Sequence, residues 1–343
     1  MRRKSTTIQD IARRVGVSKT TVSRYLNEQF GFMSQATQEA ISKAIVDLNY
    51  RPSTIARSLK SKRTTLVGVV IHSFENQIVS LFLQGICDVL YDHGYSPVIF
   101  NSYNGERLER QNLEACLDQL VEGIILSPSS LDCSYYTQIC QSGTPVVMAN
   151  RHAEAWAYDA AYIDHYGMVR RAVTHLWEND YRRIAFITNN RIPVSTKARR
   201  ESGYLDAFAD LCPGEEPILF HLPREGAVFE KAQEAITDFL QRYPLDRKAV
   251  VCADVTMLQA VIAAVHRLGL SVPAHMGICG YDARAWGQLV HPGITSMDQP
   301  FLELGRTAAQ MLMDRCAGVL PEDPQIAVLK GSFTVCGSTG RWG

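Results

Sequence analysis

Nine short apolar runs limit what this 343-residue chain can fold into more than any other feature. They are LVGVVI (66–71), PVIF (97–100), GIIL (123–126), PVVMA (145–149), AAYI (160–163), RIAFIT (183–188), PILF (217–220), AVVCA (249–253) and GICGY (277–281). Each has strand length and is apolar at successive positions, which suits a strand covered on both faces. Helical stretches, among them 78–92 and 107–121, separate them. Such alternation predicts parallel sheets with helices on each side. Five runs end by residue 163 and four begin at 183 or later, so the body reads as two similar α/β subdomains. Ligands of open parallel sheets bind beyond the carboxyl ends of the strands. Those ends carry His72 to Asn76, Asn150 with Arg151, Asp254, and Tyr281 with Asp282, while Arg200 precedes Gly203 near the start of a helix.

The first 63 residues differ in character. They hold 13 Lys and Arg against 4 Asp and Glu, a charge of +9. The whole chain has 35 of each sign, so the remainder carries −9. A basic head on an acidic body suggests a polyanion partner for the head alone. Charge by itself would equally describe a solvated basic arm, but the head has too much internal order for that. TTIQDIARRVGVS sets Ile8, Ile11, Ala12 and Val15 at helical spacing, with Thr6 or Thr7 available as N-cap. Gly16-Val17-Ser18 makes a turn in which Val17 can plug between two helices and Ser18 can cap the second. In that second helix Lys19, Thr20, Ser23, Arg24 and Asn27 share one face, and Thr21, Val22, Tyr25 and Leu26 the other. A third helix follows in SQATQEAISKAIVDLNY, with Ala40, Ile41, Ala44, Ile45 and Leu48 as its apolar stripe and Pro52 as its stop. Three short helices with a Gly turn describe a helix-turn-helix, whose second helix enters a major groove N-terminal end first.

TIQDIARRVGVSKTTVSRYLN, followed by LNYRPSTIARSLKSKRTTLVGVV, resembles the head of the lac-repressor/gal-repressor (LacI/GalR) family of transcriptional regulators, and the likeness continues to about residue 335. The resemblance implies that Lys19, Thr20 and Arg24 meet base edges. Their chemistry agrees: Lys and Arg donate to guanine O6 and N7, and Thr meets a thymine methyl or a base acceptor. Thr7, Ser18, Thr21, Ser23 and Asn27 complete the expected DNA-binding set, the hydroxyls serving phosphate contacts or caps. RPSTIARSLKSKR (51–63) is the expected linker, with Ile55, Ala56 and Leu59 on one face of barely two helical turns. So short a helix is marginal alone and is expected to fold on pairing over DNA. The resemblance places it in the minor groove, with Leu59 as a wedge that kinks the duplex.

For the body, the resemblance implies two Rossmann-like subdomains of the periplasmic-binding-protein type I class, closing on a small effector. The expected division is a head at 1–51, a hinge at 52–64 and a body at 65–343. Within the body an N-subdomain covers about 65–163 plus 294–325, and a C-subdomain about 164–293 plus 326–343. The effector residues carried over are Asn76, Asn150, Arg200, Asp282 and Gln299, Arg offering a planar fork and Asp accepting from paired hydroxyls. The sequence departs from the family at Asn150, where Asp is common, and at Ala253, where Asn is common. Lys197, Arg199 and Arg200 gather at the expected cleft edge and favour an anionic effector. The expected ligand is thus a sugar, sugar acid or sugar phosphate, with no cofactor, and either release or recruitment on DNA is open. Symmetric reading of a palindromic operator implies a homodimer. The ending SFTVCGSTGRWG lacks leucine heptads, so no added tetramerising tail is expected.

Other classes fit less well. No GxxxxGK[ST], no GxGxxG after the first strand and no nucleophile elbow is present, which disfavours a sugar-metabolising α/β enzyme carrying an accessory head. Nine scattered cysteines without a CxxC pair, and nine histidines without ligand spacing, argue for reduced thiols and no metal. The start MRRKSTTIQD has no signal-peptide core and no apolar run nears 18 residues. The expectation is a cytoplasmic repressor of carbohydrate or sugar-acid catabolic genes, with no membrane partner.

Overall fold

The computed structural model describes residues 6–50, 64–74, 78–129, 136, 139, 142–151, 158–189, 195–223 and 226–340. The chain divides between Thr64 and Thr65 into two compact units.

The first unit contains helices α1 (Ile8–Val15), α2 (Lys19–Leu26) and α3 (Gln35–Asp47). Ile11, Ala12, Val22, Ile41 and Ala44 form its buried centre, with Val15, Val17, Tyr25, Leu26 and Leu48 packed around them. Gly16 closes α1 at φ 78°, a left-handed position that costs glycine no steric strain, and its N–H bonds to the Ala12 carbonyl at 2.9 Å. Pro52 does not end α3. The helix stops at Asp47, and Asn49 turns left-handed at φ 46°. Asn49 then donates to the Val46 carbonyl at 3.0 Å and Tyr50 to the Ile45 carbonyl at 2.9 Å, the pair of bonds of a Schellman motif. The Thr6 hydroxyl ties the entry of α1 to this end, donating to the Leu48 carbonyl at 3.0 Å.

The second unit alternates strand and helix. Its first part runs β1 (Leu66–Ile71), α4 (Val79–Asp92), β2 (Ser96–Asn101), α5 (Glu106–Asp118), β3 (Gly123–Leu126), β4 (Val146–Ala149) and β5 (Asp159–Ile163). Its second runs α6 (His165–Glu178), β6 (Arg183–Asn189), α7 (Ser195–Leu211), β7 (Ile218–Leu222), α8 (Val228–Arg242), β8 (Lys248–Cys252), α9 (Val255–Arg267) and β9 (Gly277–Tyr281). The remainder is β10 (Thr295–Asp298), α10 (Phe301–Cys316), β11 (Ile326–Leu329) and β12 (Ser332–Thr334). The described strands form two six-stranded sheets, β11-β5-β4-β3-β1-β2 and β12-β10-β9-β8-β6-β7. Only β12 runs antiparallel to its neighbour among these.

Two of the expected subdomain crossings move. β10 pairs with β9, so residues 295–298 belong to the second sheet and not to the first. β11 pairs with β5, so 326–329 belong to the first sheet and not to the second. The chain therefore passes between sheets after β5, after β10 and again between β11 and β12. The reason is sheet pairing: each of these strands completes the ladder of a neighbour that would otherwise present an open edge.

Helix α10 joins the first subdomain by crossing α4 at two glycines. A Cβ on Gly85 would strike the Leu302 carbonyl, and one on Gly305 the Phe82 carbonyl. Arg315 at its far end grips the buried Asp159 of β5 with Nε and one terminal nitrogen, at 2.7 and 2.6 Å.

Candidate nucleic-acid interface and effector cleft

In the first unit the candidate reading surface is α2. Ser18 caps it, accepting from the Thr21 N–H at 3.1 Å, and its hydroxyl also meets the Thr21 hydroxyl at 2.9 Å. Those two hydroxyls are thus engaged in starting the helix. Thr7 is similarly engaged, giving both its N–H (2.9 Å) and its hydroxyl (2.7 Å) to Asp10. Asn27 ends α2, its amide donating to the Ser23 carbonyl at 2.7 Å. Lys19, Thr20 and Arg24 remain exposed, and Ser23 is half-buried beside them. The first turn of α2 holds no acidic residue and begins with Lys19. A cation there opposes the positive end of the helix dipole, costing about 0.3–1 kcal/mol until an electronegative partner arrives. Ile55, Ala56 and Leu59 lie outside the described residues.

In the second unit the strand ends converge. Asn150 follows β4 at φ 65°, and Asp282 follows β9 at φ 54°. Left-handed backbone is uncommon away from glycine and tolerated best by Asn and Asp. At both positions the N–H stays in the ladder, Asn150 donating to Ala161 and Asp282 to Met297, each at 2.9 Å. The turn therefore swings the side chain off the sheet without losing the bond.

Arg200, from the second turn of α7, is buried among acceptors. Its Nε donates to His165 Nδ1 (3.3 Å), one terminal nitrogen to the Ala253 carbonyl (2.6 Å) and the other to Gln299 Oε1 (3.1 Å). The guanidinium carbon lies 4.0 Å from the Tyr281 ring centroid. Gln299 in turn gives its backbone N–H to Asp282 Oδ1 at 2.9 Å and its amide to the other oxygen. Burial pushes the Asp282 carboxyl up to about 6, against the Gln299 bonds and the Arg200 charge that favour ionisation. Three of the expected residues, Arg200, Asp282 and Gln299, thus form one hydrogen-bonded group.

Asn150 stands apart from that group. It lines a concavity of about 170 Å³ between the two sheets, with Ile163 and Val328 on one side and His165, Thr196 and Arg199 on the other. Its Oδ1 is buried with no hydrogen-bond partner among the described residues, an acceptor left for a donor from outside. Next to it, Arg151 is buried and reaches the Pro128 carbonyl (3.3 Å) and Asn104. Lys197 donates to Asn189, whose amide holds Asp254 at 3.0 Å, and Asp254 caps α9. Asn76 lies outside the described residues.

Sequence reasoning gave His165 no place in the cleft. It sits one residue past the Asp164 that caps α6, immediately beyond β5. The rule that searches strand ends would have found it had it been applied to AAYI as to the other runs. The role of Ala253 was also hidden, because its contribution to Arg200 is a backbone carbonyl that no side chain announces.

Comparison with known proteins gives two family matches: bacterial regulatory proteins of the lacI family over residues 7–53, and a periplasmic binding protein-like domain over 173–339. The chain is 30% identical to the HTH-type transcriptional regulator KdgR of Bacillus subtilis, covering 91% of this chain and 92% of that protein. It is 31% identical to the HTH-type transcriptional repressor PurR of Glaesserella parasuis, over 90% and 89% of the two chains. Among solved structures, a lac repressor dimer bound to operator and an anti-inducer superposes with a TM-score of 0.84 at 23% identity, covering 98% of this chain and 99% of that one. A transcriptional regulator CelR–cellobiose complex matches at 27% identity and a TM-score of 0.68, over 97% and 99%.

Proposed function

The chain belongs to the lacI family of bacterial regulatory proteins, transcriptional regulators and not enzymes, and from that premise we propose how its parts divide the work. The first unit reads duplex DNA through Lys19, Thr20 and Arg24 at the major groove, with Thr7, Ser18, Thr21, Ser23 and Asn27 beside them at the phosphates. Ile55, Ala56 and Leu59 hold the minor groove, an assignment supported by the sequence resemblance. The observation that carries the reading is a capped helix opening on an exposed cation, with Arg24 on the same face, in a head of charge +9. Two heads from a homodimer engage a palindromic operator in the bacterial cytoplasm. A gel-shift survey of palindromic genomic fragments tests this: retardation that survives competitor DNA supports it, and equal binding to every fragment refutes it.

The second unit senses a small sugar-like molecule between its sheets. Asn150 supplies an acceptor, and Arg200, Asp282 and Gln299 supply the polar group facing ligand hydroxyls or a carboxylate, with Asn76 assigned from sequence. Solved relatives with bound ribose and cellobiose support a saccharide-sized ligand. The finer reading is a sugar acid, because Arg199 lines the concavity and Arg200 donates to His165, which lines it too. Thermal stability titrated with neutral sugars and sugar acids decides it; a rise in melting temperature with neutral sugars alone overturns the anionic preference. Binding alters how the two subdomains close, and closure sets operator affinity. Operator and effector must then change each other's affinity by the same factor.

A further inference from the structure

The loop after the recognition helix exposes two aromatic side chains, Phe30 at 41% and Phe32 at 67%. Phe30 packs edge-on against Tyr25 of α2, ring centroids 5.6 Å apart, which anchors the short 3₁₀ turn Phe30–Phe32 to the helix. Met33 closes that turn by donating to the Phe30 carbonyl at 3.2 Å. Anchored there, the Phe32 ring lies beneath the Arg24 guanidinium, whose central carbon is 4.7 Å from its centroid.

We propose that Phe32 is a specificity-determining positioning residue, holding the Arg24 fork in the plane from which it reads one base pair of the operator. The proposal rests on the assignment of Arg24 to a base edge. A free arginine samples many rotamers and must lose that freedom to form two parallel hydrogen bonds to guanine O6 and N7. A ring face beneath the guanidinium removes part of that freedom in advance. It attracts the cation through its quadrupole and leaves all of the in-plane N–H donors pointing outward. Stacking uses the face of the guanidinium and reading uses its edge, so the two contacts are compatible. Phe32 reads nothing itself; it sharpens what Arg24 reads.

The test uses the full-length protein and a pool of random duplexes, bound, recovered and sequenced to give a base preference at each operator position. Arg24→Ala identifies the position that Arg24 reads by flattening its preference. Phe32→Ala is expected to weaken preference at that same position by about two- to fivefold, the size of an exposed cation–π contact, and leave the other positions and the salt-driven affinity for unselected DNA unchanged. Phe32→Trp and Phe32→Tyr should restore the preference, whereas Phe32→Leu, apolar but without a ring quadrupole, should not. If Arg24→Ala flattens a position and Phe32→Ala leaves it intact, or if Leu restores as well as Trp, the positioning role is overturned while the base assignment stands. If Arg24→Ala flattens no position, the base assignment fails and this proposal falls with it.

Discussion

Asp282 carries an acid whose burial holds its pKa near 6, about two units above that of a solvated aspartate. Between about pH 4 and 6 the folded protein therefore binds this proton more tightly than the unfolded chain, and the residue's contribution to stability declines as pH rises through that window. Asp282→Asn removes the titration. The melting temperature of the variant relative to the wild type should climb from pH 4 to 6 and level off above 7; a constant difference would contradict the assignment. On the proposed assignment effector hydroxyls donate to the ionised form, so effector affinity should rise between pH 5 and 7 in the wild type and not in the variant. In the head, Arg24→Ala should cost about 1–3 kcal/mol of binding to the selected operator and little of the binding to unselected duplex. Competitive gel shifts at fixed salt measure both.

Elements show where physical pattern reaches and where it stops. The apolar runs located β1 to β9: in the interior strands β1, β3, β4, β6, β8 and β9 burial reaches almost every residue, and the edge strands β2 and β7 keep an apolar run although they are only partly buried. β10 to β12 left no such trace. Thr295 and Ser296 of β10 are fully buried, yet they are polar: Thr295 is satisfied by Cys336, Ser338 and Thr339 from a distant part of the chain, and Ser296 by Asp298 of the same strand. β11 exposes Ile326 and Val328 at the end of its sheet, so its pattern matches neither a covered strand nor a surface one. The crossing points between subdomains depend on those strands, and this is why two of them were misplaced by the sequence. Arg200 and Asp282 were legible as types at strand and helix ends; their common partner Gln299 gave the group its form, and nothing in the sequence joined His165 to it. At this scale the α4–α10 crossing makes a separate prediction. Gly305→Ala forces the two backbones apart and should destabilise the body by about 1–3 kcal/mol in chemical denaturation, and the head's melting should be unaffected. Ser18→Ala should do the reverse, costing the head about 1 kcal/mol through its lost cap.

For the whole molecule, the opposition of charge between head and body separates two functions in one neutral chain. A head of +9 binds any duplex through counterion release, and affinity for unselected DNA should fall steeply with salt. On the proposed reading selectivity comes from α2, and regulation from the polar group and the concavity set between the sheets of the body. The central claim is that occupying this cleft changes the reading of DNA. The most direct measurement is the affinity of the full-length protein for its selected operator, followed by fluorescence anisotropy at fixed ionic strength while a stabilising sugar or sugar acid is titrated. The expected result is a saturable shift in operator affinity that Asp282→Asn or Arg200→Ala abolishes, with affinity for unselected duplex unmoved. An operator affinity that stays constant while the same ligand demonstrably binds the cleft would contradict it.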